Sequence, residues 1–242
     1  MTRLFAVVSM LISAGAFASG GEPPFHFEAD VGNNPSLQRG ARNYMNYCAG
    51  CHSLKHLRYN RMGKDLGIPD DLLKANLMFT SDKPGAPILS SLSPKDGEKW
   101  FGIAPPDLSL TARARGESWV YSYLLTFYAD PGRVNGVNNL MLPGLSMPHV
   151  LDSLQGTQVL HTGKDDGAHE SHAKPKFELV KKGSLTPEQY KAFVADLTNF
   201  LAYAAEPGRR DRVALGFKVM LYLFVLLGLT YLLKKEFWKD VH

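Results

Sequence analysis

Two thiols and an imidazole within five positions, Cys48-Ala49-Gly50-Cys51-His52, constrain this chain more than any other feature in it. Cysteines three residues apart followed at once by histidine form the attachment site of a c-type haem. The spacing lets both sulfurs form thioethers to the two vinyl groups of one porphyrin, while the next side chain turns its imidazole beneath the iron. Cys48 and Cys51 are therefore the candidate attachment residues and His52 the candidate iron ligand. The chain has only 2 cysteines, so one covalent haem c uses both and leaves none for a disulfide. The porphyrin then becomes part of the core.

The two ends of the chain speak about place. Arg3, an apolar run from Leu4 to Ala14 and the small-residue signature Ala16-Phe17-Ala18 read as a secretory leader over residues 1–18, cleaved after Ala18 so that Ser19 begins the mature protein. An uncleaved anchor is the alternative, although the run falls short of the ~20 apolar residues that cross a bilayer. At the other end Arg209-Arg210-Asp211-Arg212 precedes a largely apolar run from Val213 to Leu233 with one charge inside, followed by Lys234-Lys235. As a helix that run rises ~31 Å, the thickness of a hydrocarbon core. Lys218 lies near the entry end, where its amine can snorkel to the headgroups, and Tyr222, Tyr231 and Trp238 suit the interfaces. The organisation expected is a leader (1–18), an exported haem domain (19–208) and an anchor with a short cytoplasmic tail (209–242). That order makes a single-pass protein of a bacterial inner membrane, its haem domain in the periplasm.

The formal net charge of +4 is unevenly placed. Between Ser19 and Gly208 there are 19 Lys and Arg against 20 Asp and Glu, so the basic surplus belongs to the membrane boundary. No nucleic-acid surface is read here.

The expected fold class is mainly α: a cytochrome c-like haem domain with long loops, plus one C-terminal transmembrane helix. The 15 prolines and 22 glycines of the chain suit helices joined by irregular connections. A first helix is predicted from Asn34-Pro35 through Leu37, Ala41, Tyr44 and Tyr47 into the haem motif. A last one before the anchor has Thr186 as cap, Pro187 in the first turn, Gln189 completing a capping box and an apolar stripe through Tyr190, Phe193, Val194, Leu197, Phe200, Leu201 and Ala204. It should stop at Glu206-Pro207-Gly208. A third helix is expected over Ser118 to Phe127. Phe79 to Leu92 and the polar stretch Leu160 to Lys176, with His161, His169 and His172, read as loops, the three histidines fitting no standard metal cluster.

The far side of the iron needs a second ligand. Met147 stands out among the 8 methionines because it sits in an irregular stretch, Leu142-Pro143-Gly144-Leu145-Ser146-Met147-Pro148. Gly144 permits close approach of backbone to porphyrin and Pro148 holds Met147 extended. Met141 is its rival, and other ligands or an open site remain alternatives. A Met/His pair raises the potential and suits electron transfer. Ala104-Pro105-Pro106-Asp107-Leu108-Ser109 forms a stiff wall, and Arg115 just beyond it either pairs with a haem propionate or lies solvated on a helix end.

These residues together resemble the cytochrome c1 family, the haem-bearing subunits of the cytochrome bc1 complex (ubiquinol-cytochrome c reductase). The resemblance runs from about Pro35 to the C-terminus, through Cys48-Ala49-Gly50-Cys51-His52-Ser53-Leu54, Arg58-Tyr59-Asn60-Arg61, Met78-Phe79-Thr80, Trp100-Phe101-Gly102, the Pro-Pro-Asp-Leu-Ser block and Ala112-Arg113-Ala114-Arg115. It implies a redox subunit without a catalytic site of its own. Electrons would pass singly from a Rieske iron-sulfur protein through haem c to cytochrome c, beside cytochrome b, with Met147 as distal ligand and Arg115 at a propionate. Trp119 stands where many relatives carry tyrosine, and the extra disulfide of some bacterial relatives is impossible here. The competing class is a stand-alone membrane-tethered cytochrome donating to an oxidase.

Overall fold

The computed structural model describes residues 22–161 and 175–239. The expected leader, and His169 and His172, lie outside the described residues. In chain order the elements are α1 (Asn34–Tyr47), β1 (Leu54–Arg58), α2 (Tyr59–Leu66), α3 (Asp70–Asn76), β2 (Pro87–Ile88), α4 (Pro94–Phe101), α5 (Thr111–Arg115), α6 (Glu117–Leu125), β3 (Phe127–Ala129), β4 (Val137–Asn139), α7 (Asp152–Gln155), β5 (Gly156–His161), β6 (Lys176–Lys182), α8 (Pro187–Ala205) and α9 (Arg209–Phe237). Helix dominates, as expected.

The core is the crossing of α1 and α8. Asn33 caps α1 by accepting the Ser36 N–H at 3.1 Å, with Pro35 in the first turn. Thr186 caps α8 in the predicted capping box with Gln189. Leu37, Ala41 and Tyr44 on one helix, and Val194, Leu197, Phe200 and Leu201 on the other, are all buried. Each buried Leu, Val or Phe among them contributes about 1.5–3 kcal/mol. Gly40 sets the closeness of the crossing, since a Cβ there would lie 2.1 Å from the Asp196 carbonyl oxygen and 2.6 Å from Phe200 Cβ. Polar groups seal the same seam: Asp196 accepts Ser36 Oγ at 2.6 Å and pairs with Arg39 at 2.6 Å. α6 packs on α8 as a third layer, tied by Tyr190 Oη donating to Leu124 O at 2.8 Å.

Three expectations change. The third helix ends at Leu125, because Phe127 instead opens β3 and pairs with Asn139 of β4. Pro87–Ile88, expected as loop, is strand β2, antiparallel to β1 with Leu54 opposite Ile88. The stretch 160–176 is entered and left by the β5–β6 hairpin, in which His161 faces Lys176 across the ladder and pairs with Glu178 at 2.7 Å. The last helix exceeds the apolar run at both ends, since its flanking Arg and Lys residues are good helix formers.

That last helix, α9, is long and apolar enough to cross a membrane, and none of its residues is buried against the other described residues. It fits a single-pass membrane protein. Its first turn is latched to the haem-motif domain: Arg209 pairs with the half-buried Glu117, whose other oxygen accepts the Ala29 N–H at 2.7 Å, and Arg212 pairs with Glu206 at 2.5 Å.

Candidate haem site

α1 delivers the motif. Its last turn continues past Tyr47 as the N–H groups of Cys48 and Ala49 both find the Tyr44 carbonyl, at 2.8 and 2.9 Å. The Cys51 and His52 N–H groups then close back on the Cys48 carbonyl at 3.1 and 2.9 Å, bringing both sulfurs and the imidazole to one end of the helix. Buried Tyr44 donates its hydroxyl to the His52 carbonyl at 2.5 Å and so fixes the residue from below.

The ring of His52 is oriented by the Pro-Pro-Asp-Leu-Ser block. Nδ1 lies 2.7 Å from the Pro106 carbonyl oxygen. A carbonyl only accepts, so Nδ1 carries the proton and Nε2 keeps its lone pair. Burial holds the imidazole below its ordinary pKa, opposed by the Pro106 hydrogen bond and by Asp107. The block is itself zipped to the strand after the motif. Asp107 accepts the N–H groups of Lys55 and Ser109, each at 3.0 Å, Ser109 Oγ accepts the His56 N–H at 3.1 Å, and the Leu108 N–H donates to Ser53 O at 2.9 Å. Burial works against the Asp107 carboxylate, yet its bonds to Ser109 and Lys55 hold its pKa below the usual range.

Met147 is reached from α6. The Tyr123 hydroxyl donates to Met147 Sδ at 3.2 Å, Trp119 stacks on Tyr123 with ring centroids 5.1 Å apart, and the Arg115 guanidinium lies 5.1 Å over the Trp119 ring. Arg115, Trp119, Tyr123 and Met147 thus form one column. Met141 is held differently: its N–H is taken by Asn139 Oδ1 at 2.8 Å. Gly144 adopts φ +79°, a left-handed conformation that glycine takes without strain.

The donor set fits a covalent haem. Burial, reinforced by Cys51, pushes the Cys48 thiol up to about 12, an environment hostile to a thiolate and well suited to an uncharged thioether. His52 presents an unprotonated Nε2, Met147 a sulfur with a second lone pair beyond the one facing Tyr123, and Arg115 a guanidinium that makes no hydrogen bond among the described residues. Near the Met147 segment, Arg133 Nε is buried with no acceptor among the described residues, so an anionic group lodged beside it would find a donor waiting.

Tyr44, the Pro106 carbonyl, Tyr123 and Arg133 were not foreseen. Only Tyr123 carries a local signal, its i,i+4 spacing from Trp119.

A family model described as the Cytochrome C1 family matches residues 25–85 and 97–241. The cytochrome c1 of Allochromatium vinosum is 46% identical over 247 residues, covering 100% of both chains. A protein of Nitrosomonas europaea named ammonia monooxygenase gamma subunit is 45% identical over 213 residues, 88% of this chain and 86% of that one. Among solved structures, a chain titled hyperthermophilic respiratory Complex III aligns with a TM-score of 0.44 and 18% identity, covering 100% of this chain and 98% of that one.

Proposed function

This chain belongs to the cytochrome c1 family, haem-bearing electron-transfer subunits of the cytochrome bc1 complex, and from that premise we propose how its own residues carry the electron. Bound haem c supplies a one-electron couple. Cys48 and Cys51 would hold it covalently, and His52 Nε2 and Met147 Sδ would be the iron's protein ligands. The Pro106 carbonyl holds His52 in the tautomer that leaves Nε2 free to ligate. Tyr123 occupies one sulfur lone pair and leaves the second for the iron. Arg115, spread over Trp119, is placed to meet a propionate. A Met/His pair gives the high potential that an acceptor from an iron-sulfur donor needs.

In this reading the donor is the Rieske protein, the acceptor a cytochrome c, and cytochrome b lies beside α9 in the bilayer. The haem domain faces the periplasm, as the N-terminal leader implies. The Arg209–Glu117 latch holds that domain against its anchor, so donor and acceptor meet at high effective concentration. The observation that carries the proposal is the His52–Pro106 bond at the end of the Cys48–His52 motif, because it fixes which nitrogen is free for iron.

Mild-detergent purification through a C-terminal tag tests it. Cytochrome b and a Rieske subunit should come with this chain, and the preparation should reduce cytochrome c with ubiquinol in a reaction stopped by a quinol-site inhibitor. Recovery of the chain alone, or with a monooxygenase and no quinol activity, would contradict it.

A further inference from the structure

The segment that carries Met147 has no regular structure, so its thioether would wander unless something fixed its backbone. Resting on the reading of Met147 as the iron's sulfur ligand, we infer that Arg133, seconded by Asn135, is a positioning residue that clamps this segment from the turn of the β3–β4 hairpin. Arg133 Nη2 donates to Gly144 O at 2.6 Å and to Leu145 O at 3.2 Å. Asn135 Nδ2 lies 3.3 Å from Met147 O and 3.5 Å from Ser146 O. The magnitudes rank them: the short charge-assisted bond is roughly twice as strong as a neutral one, and the two Asn135 contacts are at the long limit.

A clamp works only if its jaw is rigid, and this one is. The Arg133 N–H donates to Asp130 O at 3.0 Å, the Asp130 N–H to Gly136 O at 2.9 Å, and the Gly132 N–H to Asp130 Oδ1 at 3.0 Å. Asn138 donates to Asp130 Oδ2 at 2.9 Å and accepts the Gly144 N–H at 2.9 Å. Gly144 is therefore gripped at both its N–H and its carbonyl by one hairpin. From the opposite side Tyr123 touches the sulfur itself, and Asn139 Nδ2 bonds the Tyr123 carbonyl at 2.8 Å. The hairpin thus ties the helix behind the sulfur to the backbone that bears it. Sinking Arg133 Nε where no acceptor among the described residues meets it is costly, which marks the cation as placed for a task beyond solvation.

The test uses the full chain in detergent, oxidised, with the methionine-to-iron charge-transfer band, the affinity for added imidazole, the midpoint potential and covalent haem content as readouts. Arg133→Gln should keep its haem yet bind imidazole at least about tenfold more tightly, with a weakened band. Arg133→Lys should recover part of the difference, and Asn135→Ala should shift imidazole affinity by about two- to threefold. Met147→Leu is the control: if it keeps the band, the ligand assignment fails and the clamp with it. If Met147→Leu loses the band while Arg133→Gln matches wild type in band, potential and imidazole affinity, the clamp alone is wrong. Should Arg133→Gln not accumulate, wild-type imidazole affinity in both Arg133→Lys and Asn135→Ala overturns the inference.

Discussion

On the His52 side of the site a main-chain carbonyl sets the ligand's ring, whereas on the Met147 side it is side chains that reach the sulfur and hold its backbone. His52 follows closely on a capped helix, α1, that crosses α8 at contact distance, and its ring is set by a main-chain carbonyl. Met147 hangs in an irregular segment stitched by Tyr123, Arg133, Asn135, Asn138 and Asn139. Main-chain scaffolding resists local loosening because it opens only with the core; a stitched loop can open while the core stays folded. The difference teaches that one half of the coordination should be lost only with the fold, and the other should be tunable by single side chains.

The largest effect should come from the attachment residues. Cys48→Ser or Cys51→Ser should sharply reduce covalent haem after acid-organic extraction and cut accumulation of the folded domain, because a bound group that stabilises only the native state is lost. Retention of haem on the polypeptide in both variants would break the scheme on its firmer side.

Gly40→Ala is next. A methyl placed 2.1 Å from the Asp196 carbonyl must spread α1 from α8, costing about 1–3 kcal/mol or more of stability. It should lower the unfolding temperature while leaving the methionine-iron band of the molecules that remain folded, which separates the core from the stitched loop.

Met147→Leu inverts that pattern. Volume and apolarity are kept, so the unfolding temperature should change little while the potential falls; ~120 mV lost makes reduction about a hundredfold less favourable. Survival of band and potential in Met147→Leu, with loss in Met141→Leu, would move the ligand to the rival methionine.

The smallest effect concerns pH. The folded pKa of Asp107 is depressed by its bonds to Ser109 and Lys55 despite burial, so its contribution to stability is complete above the ordinary carboxylate pKa of ~3.9 and is lost as pH falls through the lower folded value. Asp107→Asn should lower stability modestly at neutral pH and flatten the acid limb between those two values, so that variant and wild type converge at the lowest pH. An unchanged acid limb would remove Asp107 from the bracing of Pro106.

The same contrast explains what could be read in advance. α1, α8 and α9 were legible because each carries a cap or a long apolar pattern that local chemistry determines, as Thr186 with Gln189 shows. Cys48, Cys51 and His52 could be singled out as candidates because their spacing is that of a c-type haem attachment motif. The strand pairs were not, since β2 has two residues and β3 and β4 three each, too short for alternation to register. The third helix was drawn too long for the same reason: Phe127 continues an apolar pattern that its pairing with Asn139 overrides. Tyr123 and Arg133 stayed hidden because their partners lie 24 and 11 to 12 positions away across a hairpin. Met147 itself could be singled out only by the irregular stretch around it.

The most direct test is to watch the haem while quinol turns over. In membranes carrying this chain with its partners, addition of ubiquinol should reduce the haem c before external cytochrome c is reduced, and a quinol-site inhibitor should stop both. Met147→Leu should slow both together. If cytochrome c is reduced at the wild-type rate while the haem on Cys48 and Cys51 stays oxidised, the electron does not pass through this chain.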